Sequence, residues 1–218
     1  TIDMMKSSSE YRAMARESLS GVWNESAVAY LVIMIIACIF SVGSAVVPQE
    51  MLWLQGSLSG LQVLVSVLLI APLDYGFANA ILSLVRCESN SPTNDMFGYF
   101  KRDYSRWVPA LLLMSLAEIG LGIVTLLIGT IVLQYAYAMV PFLLRDYPEL
   151  TATEALRTSR EMMKGHKWDL FVLDLTFIGW IILCCFTLGI GWLWLQPYMC
   201  AARAHFYEDL KAEMIVEE

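Results

Sequence analysis

The chain alternates between long apolar blocks and short charged stretches. Three blocks, residues 24–85, 107–144 and 168–202, contain no lysine or arginine, and all 14 basic residues lie in the stretches around them. A hydrocarbon core of about 30 Å requires about 20 helical residues, so each block can hold two apolar helices. The pattern predicts an all-α, polytopic membrane protein built from three helical hairpins.

Turn-forming residues divide each block into two parts. Pro48 interrupts the first block, Gly129 the second, and Gly189 and Gly191 the third. We therefore expect a six-helix membrane domain over residues 23–207. Its six transmembrane spans are predicted at about residues 23–47, 58–85, 107–127, 131–144, 168–187 and 192–206. Spans four and six are short, so we expect them to be tilted or to end below the lipid headgroups.

The distribution of positive charge predicts the orientation. Lysine and arginine near helix ends are retained in the cytoplasm, whereas carboxylates contribute little to this sorting. Each block must then leave the cytoplasm and return, which places both termini inside. The composition agrees with a membrane protein, since 58% of residues are hydrophobic, mean hydropathy is +0.59 and only 16% are charged. Soluble domains usually carry about 25% charged residues.

The segments outside the spans differ in pattern. Residues 1–22 are predicted as an amphipathic N-terminal cytoplasmic helix, because their apolar side chains recur at helical spacing. The members of this apolar face are Tyr11, Met14, Ala15, Ser18, Leu19 and Val22. Residues 208–218 are predicted as an acidic cytoplasmic tail.

A second amphipathic helix is predicted between spans four and five. Thr151 and Glu154 have the spacing of a capping box, so we expect an interfacial helix over residues 152–164 that Gly165 ends. Its apolar side is expected to contain Ala155, Leu156, Ser159 and Met163. Such a helix can lie in the membrane interface or pack beneath the bundle, and the sequence leaves both alternatives open.

Tryptophans lie near the predicted span ends. Trp23, Trp107 and Trp168 mark the start of each hairpin, and we expect them to act as interfacial anchors on the cytoplasmic side. Trp192 and Trp194 are expected near the outer boundary.

Three carboxylates lie within the predicted spans, at Asp74, Glu118 and Asp174. An ionised group at the bilayer centre costs about 2.5–3.5 kcal/mol, so each should face protein or water and have a partner. Arg203 reaches a depth similar to Asp174 and Asp74, and we expect it to pair with one of them. These four residues form the candidate intramembrane polar site. A structural ion pair and a substrate or proton site are both open interpretations.

Glu118 is expected nearest the membrane midplane, at a depth where we expect no basic residue. Its side chain is predicted to form an interhelical hydrogen bond with Gln134 or Tyr135 on span four. A proton-coupled role is the alternative.

Motifs concentrated in the last third of the chain carry a family resemblance. They are Leu173-Asp174-Leu175-Thr176-Phe177-Ile178-Gly179-Trp180, Leu188-Gly189-Ile190-Gly191, Pro197-Tyr198 and Phe206-Tyr207, with Met163-Lys164-Gly165, Asp146-Tyr147-Pro148 and Pro72-Leu73 before them. The pattern resembles an uncharacterised bacterial membrane family, domain-of-unknown-function family 975. Thr176 and Ile128-Gly129 depart mildly from it. The resemblance implies a helical protein of the bacterial inner membrane, with no established activity or catalytic residues.

Other classes of function are disfavoured by the sequence. It contains no phosphate-binding glycine loop, no His-Glu-x-x-His and no basic patch with interleaved aromatics, so we expect no catalytic site, cofactor, metal or nucleic-acid partner. Its five cysteines are not spaced as a disulfide framework. Membrane lipid is the expected partner. Small-residue pairs such as Gly76 and Ala80 permit close helix contact within the chain, with a second copy or with another membrane protein.

These observations favour a non-enzymatic membrane protein that acts in interaction, scaffolding or regulation. A small-solute or ion transporter that uses the intramembrane carboxylates is the alternative. A membrane enzyme ranks third.

Overall fold

The computed structural model of the protein describes residues 5–45, 60–102, 108–117, 128–187 and 189–217. Within these ranges the chain is predominantly helical and contains no β-strand. The prediction of an all-α fold is therefore confirmed for the described residues.

The helices of the first half have the following bounds. They are α1 (Ser8–Ser18), α2 (Trp23–Ala45), α3 (Gly60–Val85, with a π-helical turn at Ser66–Ile70), α4 (Pro92–Arg102) and α5 (Val108–Ala117).

The helices of the second half are shorter, apart from the last. They are α6 (Ile128–Ala136), α7 (Val140–Asp146), α8 (Ala152–Met162), α9 (Lys167–Leu175), α10 (Ile178–Phe186) and α11 (Trp192–Glu217).

Three of the described segments are long and apolar enough to cross a membrane. They are Trp23–Phe40, Gly60–Val85 and Lys167–Phe186, the last of which combines α9 and α10. By length and composition they indicate a membrane protein. Residues 137–139 form a turn between α6 and α7, so the region predicted as span four is interrupted.

Helix α1 forms as its sequence predicts. The Ser7 side chain accepts a hydrogen bond from the Glu10 backbone, and the Glu10 carboxylate accepts one from the Ser7 backbone, which completes a capping box. Tyr11, Ala15 and Leu19 are buried on one face, largely against α11. The predicted apolar face is confirmed.

Helix α8 also begins with a capping box, formed by Thr151 and Glu154. The helix ends at Met162, two residues earlier than predicted, before Gly165 adopts a φ of +100°. The Ser159 hydroxyl is buried and donates to the backbone carbonyl oxygen of Ala136 at 2.9 Å. This contact fixes α8 against the bundle, so the structure supports packing beneath the bundle over a free position in the interface.

The main core joins α1, α2, α3, α7 and α9 to α11, and the last turns of α3 and α7 meet α11 at one end of it. We call this the charged end, because Arg86, Asp146 and Lys211 lie there together. The segment predicted as an acidic tail continues α11 to Glu217 and contributes Lys211 to this end.

Close packing in this core requires a glycine on α3. A Cβ added to Gly76 would lie 2.5 Å from the Met96 carbonyl oxygen, well inside van der Waals contact. Gly76 thus lets α4 pack directly on α3. The small-residue pair of Gly76 and Ala80 therefore serves a contact within the chain.

The start of α11 lies beside the first part of α2. Trp192 donates its indole N–H to the Tyr30 hydroxyl at 3.1 Å, and the Trp23 and Tyr198 rings meet at 5.9 Å. Tyr30 is seven residues into α2, which corresponds to roughly 10 Å. The connection from α10 to α11 reaches only as far along α2 as Tyr30. Trp23 and Trp194 therefore line the same groove. The prediction that they mark opposite membrane boundaries is wrong.

Candidate functional site

Asp174 on α9 and Arg203 on α11 form the centre of the candidate site. The Arg203 guanidinium donates from Nε to one carboxylate oxygen at 3.2 Å and from Nη2 to the other at 2.7 Å. The predicted pairing is confirmed, and the structure selects Asp174 over Asp74. A two-point contact of this kind fixes both distance and orientation.

Tyr135 on α6 completes the site. Its hydroxyl donates to the Asp174 carboxylate at 3.1 Å, and its ring packs edge-to-face on Phe171. Asp174 therefore accepts hydrogen bonds from two other helices, α6 and α11. The arrangement neutralises the carboxylate and joins three helices that are distant in sequence.

A cavity of about 280 Å³ opens beside this pair. Polar groups of Gln134, Tyr135, Asp174 and Arg203 line one part of it, and Met114, Tyr137, Ala138, Pro141 and Leu170 line the rest. Its mixed lining could admit water or a small polar solute next to the ion pair.

Asp74 does not join this site. Asp74 is exposed and lies between the buried residues Leu73 and Tyr75 of α3. It forms no hydrogen bond or ion pair with any described residue. Within the described part of the chain the structure thus shows no partner for Asp74, and the expectation of one stays a prediction.

Two other predicted residues, Glu118 and Trp107, lie outside the described residues. Of the two acceptors proposed for Glu118, Tyr135 is bonded to Asp174 and Gln134 lines the adjoining cavity. The bond predicted for Glu118 stays a prediction.

The two described tryptophan anchors differ in environment. Trp168 at the start of α9 is 67% exposed and packs on Phe171 at a ring distance of 5.2 Å. Trp23 is half-buried against Tyr198. Their role as interfacial anchors stays a prediction.

An ion-pair network at the charged end was not predicted from the sequence. Arg86, which follows α3, donates Nη1 and Nη2 to the two carboxylate oxygens of Asp146 at 2.7 and 2.6 Å. Its Nε donates to Glu208 on α11 at 2.7 Å. One guanidinium therefore connects the ends of α3 and α7 to α11.

Asp146 is the acceptor at the centre of this network. Lys211 and the Tyr207 hydroxyl also donate to it, at 2.5 and 2.9 Å. Burial raises the pKa of this carboxyl, but the hydrogen bonds from Arg86 and Lys211 outweigh burial and lower the pKa from 3.8 to about 2. Burial, together with the neighbouring Asp146 charge, raises the pKa of Tyr207, which stays protonated as a donor.

Arg145 forms a second set of contacts beside the network. It donates to the Asn79 carbonyl oxygen at 2.8 Å, pairs with Glu88 and lies over the Tyr99 ring at 5.0 Å. Arg145 thus connects the end of α7 to α3, to the connection after α3 and to α4.

The sequence carried a partial signal for the network. Arg86 is the first basic residue after a long apolar block, and Asp146 belongs to the Asp-Tyr-Pro motif. Arg86 counts as a boundary feature in the sequence analysis, since positive charge at span ends is explained by topology alone, and Asp146 enters only through the family motif.

The larger part of the candidate site lies in a region that matches a known protein family. Residues 110–214 match the family described as a protein of unknown function, DUF975. This region belongs to that family. The DUF975 region contains Asp146, Asp174 and Arg203, whereas Arg86 precedes it. Searches of curated proteins and of solved structures found no significant match.

Ion pairs between helices are the main polar feature of the described residues at this site. Their histidine, cysteine and acidic side chains form no group of three that could hold a metal ion, and the five cysteines are unbonded. Within the DUF975 region, the Asp174–Arg203 pair joins α9 to α11, and the Asp146–Lys211 pair joins α7 to α11.

Proposed function

We propose that the protein is a multi-pass protein of the bacterial inner membrane, with six helices in three hairpins and both termini in the cytoplasm. The three blocks without lysine or arginine support this topology. So does the charged end, which gathers Arg86, Arg145 and Lys211 on one side of the bundle.

In this proposal the third hairpin, α9 to α11, enters the membrane less deeply than a full span would. Its connection lies beside the first part of α2, and Phe186 and Ile190 next to it are 82% and 61% exposed. Large apolar side chains at a turn favour lipid over water as their surroundings. The termini remain on the same side whether this turn reaches the outer surface or stops within lipid.

Cysteine labelling tests the orientation. In a background without native cysteines, Arg157→Cys on the exposed face of α8 should react with a membrane-impermeant maleimide only after the cells are permeabilised. Arg157 is 80% exposed, so the thiol would be accessible once the reagent enters. Reaction in intact cells would reverse the proposed topology.

We infer that the protein acts by interaction, as a scaffold or regulator in the membrane, and we assign no catalytic reaction to it. The observation that carries this inference is the network centred on Arg86 and Asp146. A buried network with several donors on one acceptor favours a single helix arrangement. Alternating access, in contrast, requires helices to move against one another. A rigid charged end is suited to presenting a fixed surface to lipid or to another membrane protein.

Transport of a small solute or ion is the second candidate. The cavity beside Asp174 and Arg203 favours it, since intramembrane charged groups often mark transport pathways. The ion pair already neutralises Asp174, however, and thereby weakens the attraction of the site for a cation.

Co-purification distinguishes the two candidates. The intact chain is isolated from native membrane in mild detergent, and its bound lipids and proteins are identified by mass spectrometry. Arg86→Gln should reduce the recovery of a specific component, whereas Arg157→Gln should not. Solute flux in proteoliposomes that Asp174→Asn abolishes, with no specific component recovered, would favour transport instead.

A further inference from the structure

An apolar groove of about 370 Å³ opens between α2, α10 and α11, beside the end of α1. Its lining includes Trp23, Trp180, Trp194, Leu183 and Tyr198. We call this the tryptophan groove. Its volume lies within the usual range for small-molecule sites, about 300–1,000 Å³.

A positive charge stands at one side of the tryptophan groove. Arg16, near the end of α1, is the charged residue among the described residues that line it, and none of these residues is a carboxylate. Arg12 lies one helical turn earlier on α1, outside the lining of the groove, and the charges of both arginines act electrostatically on Tyr198. The groove thus combines a cationic edge with an apolar interior.

Neither arginine has an anionic partner in the described part of the chain. Arg16 is exposed, and the Nε–H of Arg12 is buried without an acceptor. A buried donor that is left unpaired is unfavourable. Phosphate oxygens satisfy guanidinium donors well, because the planar fork of N–H groups matches their geometry.

We propose that the tryptophan groove binds one anionic phospholipid. Arg16 and Arg12 contact the phosphate, and one acyl chain lies along Leu183 and between Trp180 and Trp194. An amphiphile with one anionic head and an apolar chain satisfies both parts of the groove, and indole rings are common at headgroup level. The assignment rests on the proposed function, in which the end of α1 lies at the cytoplasmic interface.

Native mass spectrometry of the full chain in detergent tests this site. The chain is titrated with dioleoylphosphatidylglycerol, which is anionic, and with dioleoylphosphatidylcholine, which is zwitterionic. One phosphatidylglycerol should remain bound at concentrations where phosphatidylcholine does not. Arg16→Gln should weaken this binding about fivefold, and the double change with Arg12→Gln about 30-fold, as expected for two interfacial cations.

Two further variants separate the site from general effects. Arg157→Gln removes an equal charge from α8, where Arg157 pairs with Glu161, and should leave binding unchanged. Leu183→Trp should weaken the binding of phosphatidylglycerol by filling the groove without changing charge, since Leu183 is exposed outside the core.

Three results would overturn the assignment. The first is equal retention of the two lipids, and the second is equal weakening of binding by Arg157→Gln and Arg16→Gln. The third is a dimer of the chain that Leu183→Trp dissociates. That result would identify a second copy of the chain as the occupant of the groove. Lipid retention in detergent does not depend on orientation, so its failure is distinguishable from a failure of the topology test.

Discussion

Arg86 and Asp146 face each other across the charged end, and the two terminal guanidinium nitrogens lie 2.7 and 2.6 Å from the two carboxylate oxygens. The residues are 60 positions apart in the chain. The side chain of Asp146 is only 6% exposed, so this pair joins α3 to α7 in surroundings largely shielded from water.

Replacing Arg86 with glutamine should destabilise the fold. The change removes two hydrogen bonds to a buried carboxylate, while Lys211 and Tyr207 still donate to it. We expect the free energy of unfolding in detergent to fall by about 2–3 kcal/mol. Arg157→Gln is the control, because its exposed pair with Glu161 contributes at most about 0.5 kcal/mol. Equal losses in the two variants would argue against a structural role for the network.

The lowered pKa of Asp146 predicts a loss of stability in acid. Its pKa is about 2 in the folded protein and 3.8 ordinarily, so the unfolded chain binds this proton more tightly. The contribution is therefore complete above about pH 4 and is lost as pH falls toward about 2. Unfolding midpoints measured across this range should fall more steeply for the natural chain than for Asp146→Asn. Parallel pH profiles would show that Asp146 is not responsible.

Tyr135→Phe tests the intramembrane site. The hydroxyl donates to Asp174 at 3.1 Å, so its removal should cost about 1.5 kcal/mol of unfolding free energy. Tyr137 lines the same cavity, and its hydroxyl forms no hydrogen bond to a described residue. Tyr137→Phe should therefore change stability little. If the two substitutions have the same effect, the bond to Asp174 does not stabilise the bundle.

Gly76→Ala should disturb the packing of α4 on α3. The added methyl group would meet the Met96 carbonyl oxygen at 2.5 Å, and backbone atoms must shift to accommodate it. We expect a loss of about 1–3 kcal/mol in a thermal unfolding assay. Gly98 on α4 has no atom within 4 Å of an added Cβ, so Gly98→Ala should be neutral or stabilising by up to about 1 kcal/mol. If Gly76→Ala leaves the stability unchanged, α3 and α4 do not pack as closely at this position as the structure indicates.

The sequence anticipated features that depend on short-range patterns. The capping boxes at Ser7 and Thr151 form because the partner glutamate is three residues away in each case. Tyr11 and Ala15 are buried as predicted, since residues four positions apart share one helix face. The three long apolar helices follow from composition and length.

The choice between Asp74 and Asp174 as the partner of Arg203 required the tertiary structure. Depth along a helix can be counted from the sequence, and it made both carboxylates eligible. The direction in which a side chain points depends on how the helix is rotated against its neighbours. Because α3 buries Leu73 and Tyr75, Asp74 faces outward, while Asp174 faces α11.

The sequence by itself determined the helical membrane character, the amphipathic faces and the existence of charged stretches, because these depend on residues close together in the chain. Only the tertiary structure decided which charges meet. Arg86 reaches Asp146 across 60 residues and Glu208 across 122, and such pairs form only after the helices have packed. Positive charge at a helix end satisfies the membrane topology whether or not it is paired, so the pairing leaves no separate pattern in the sequence.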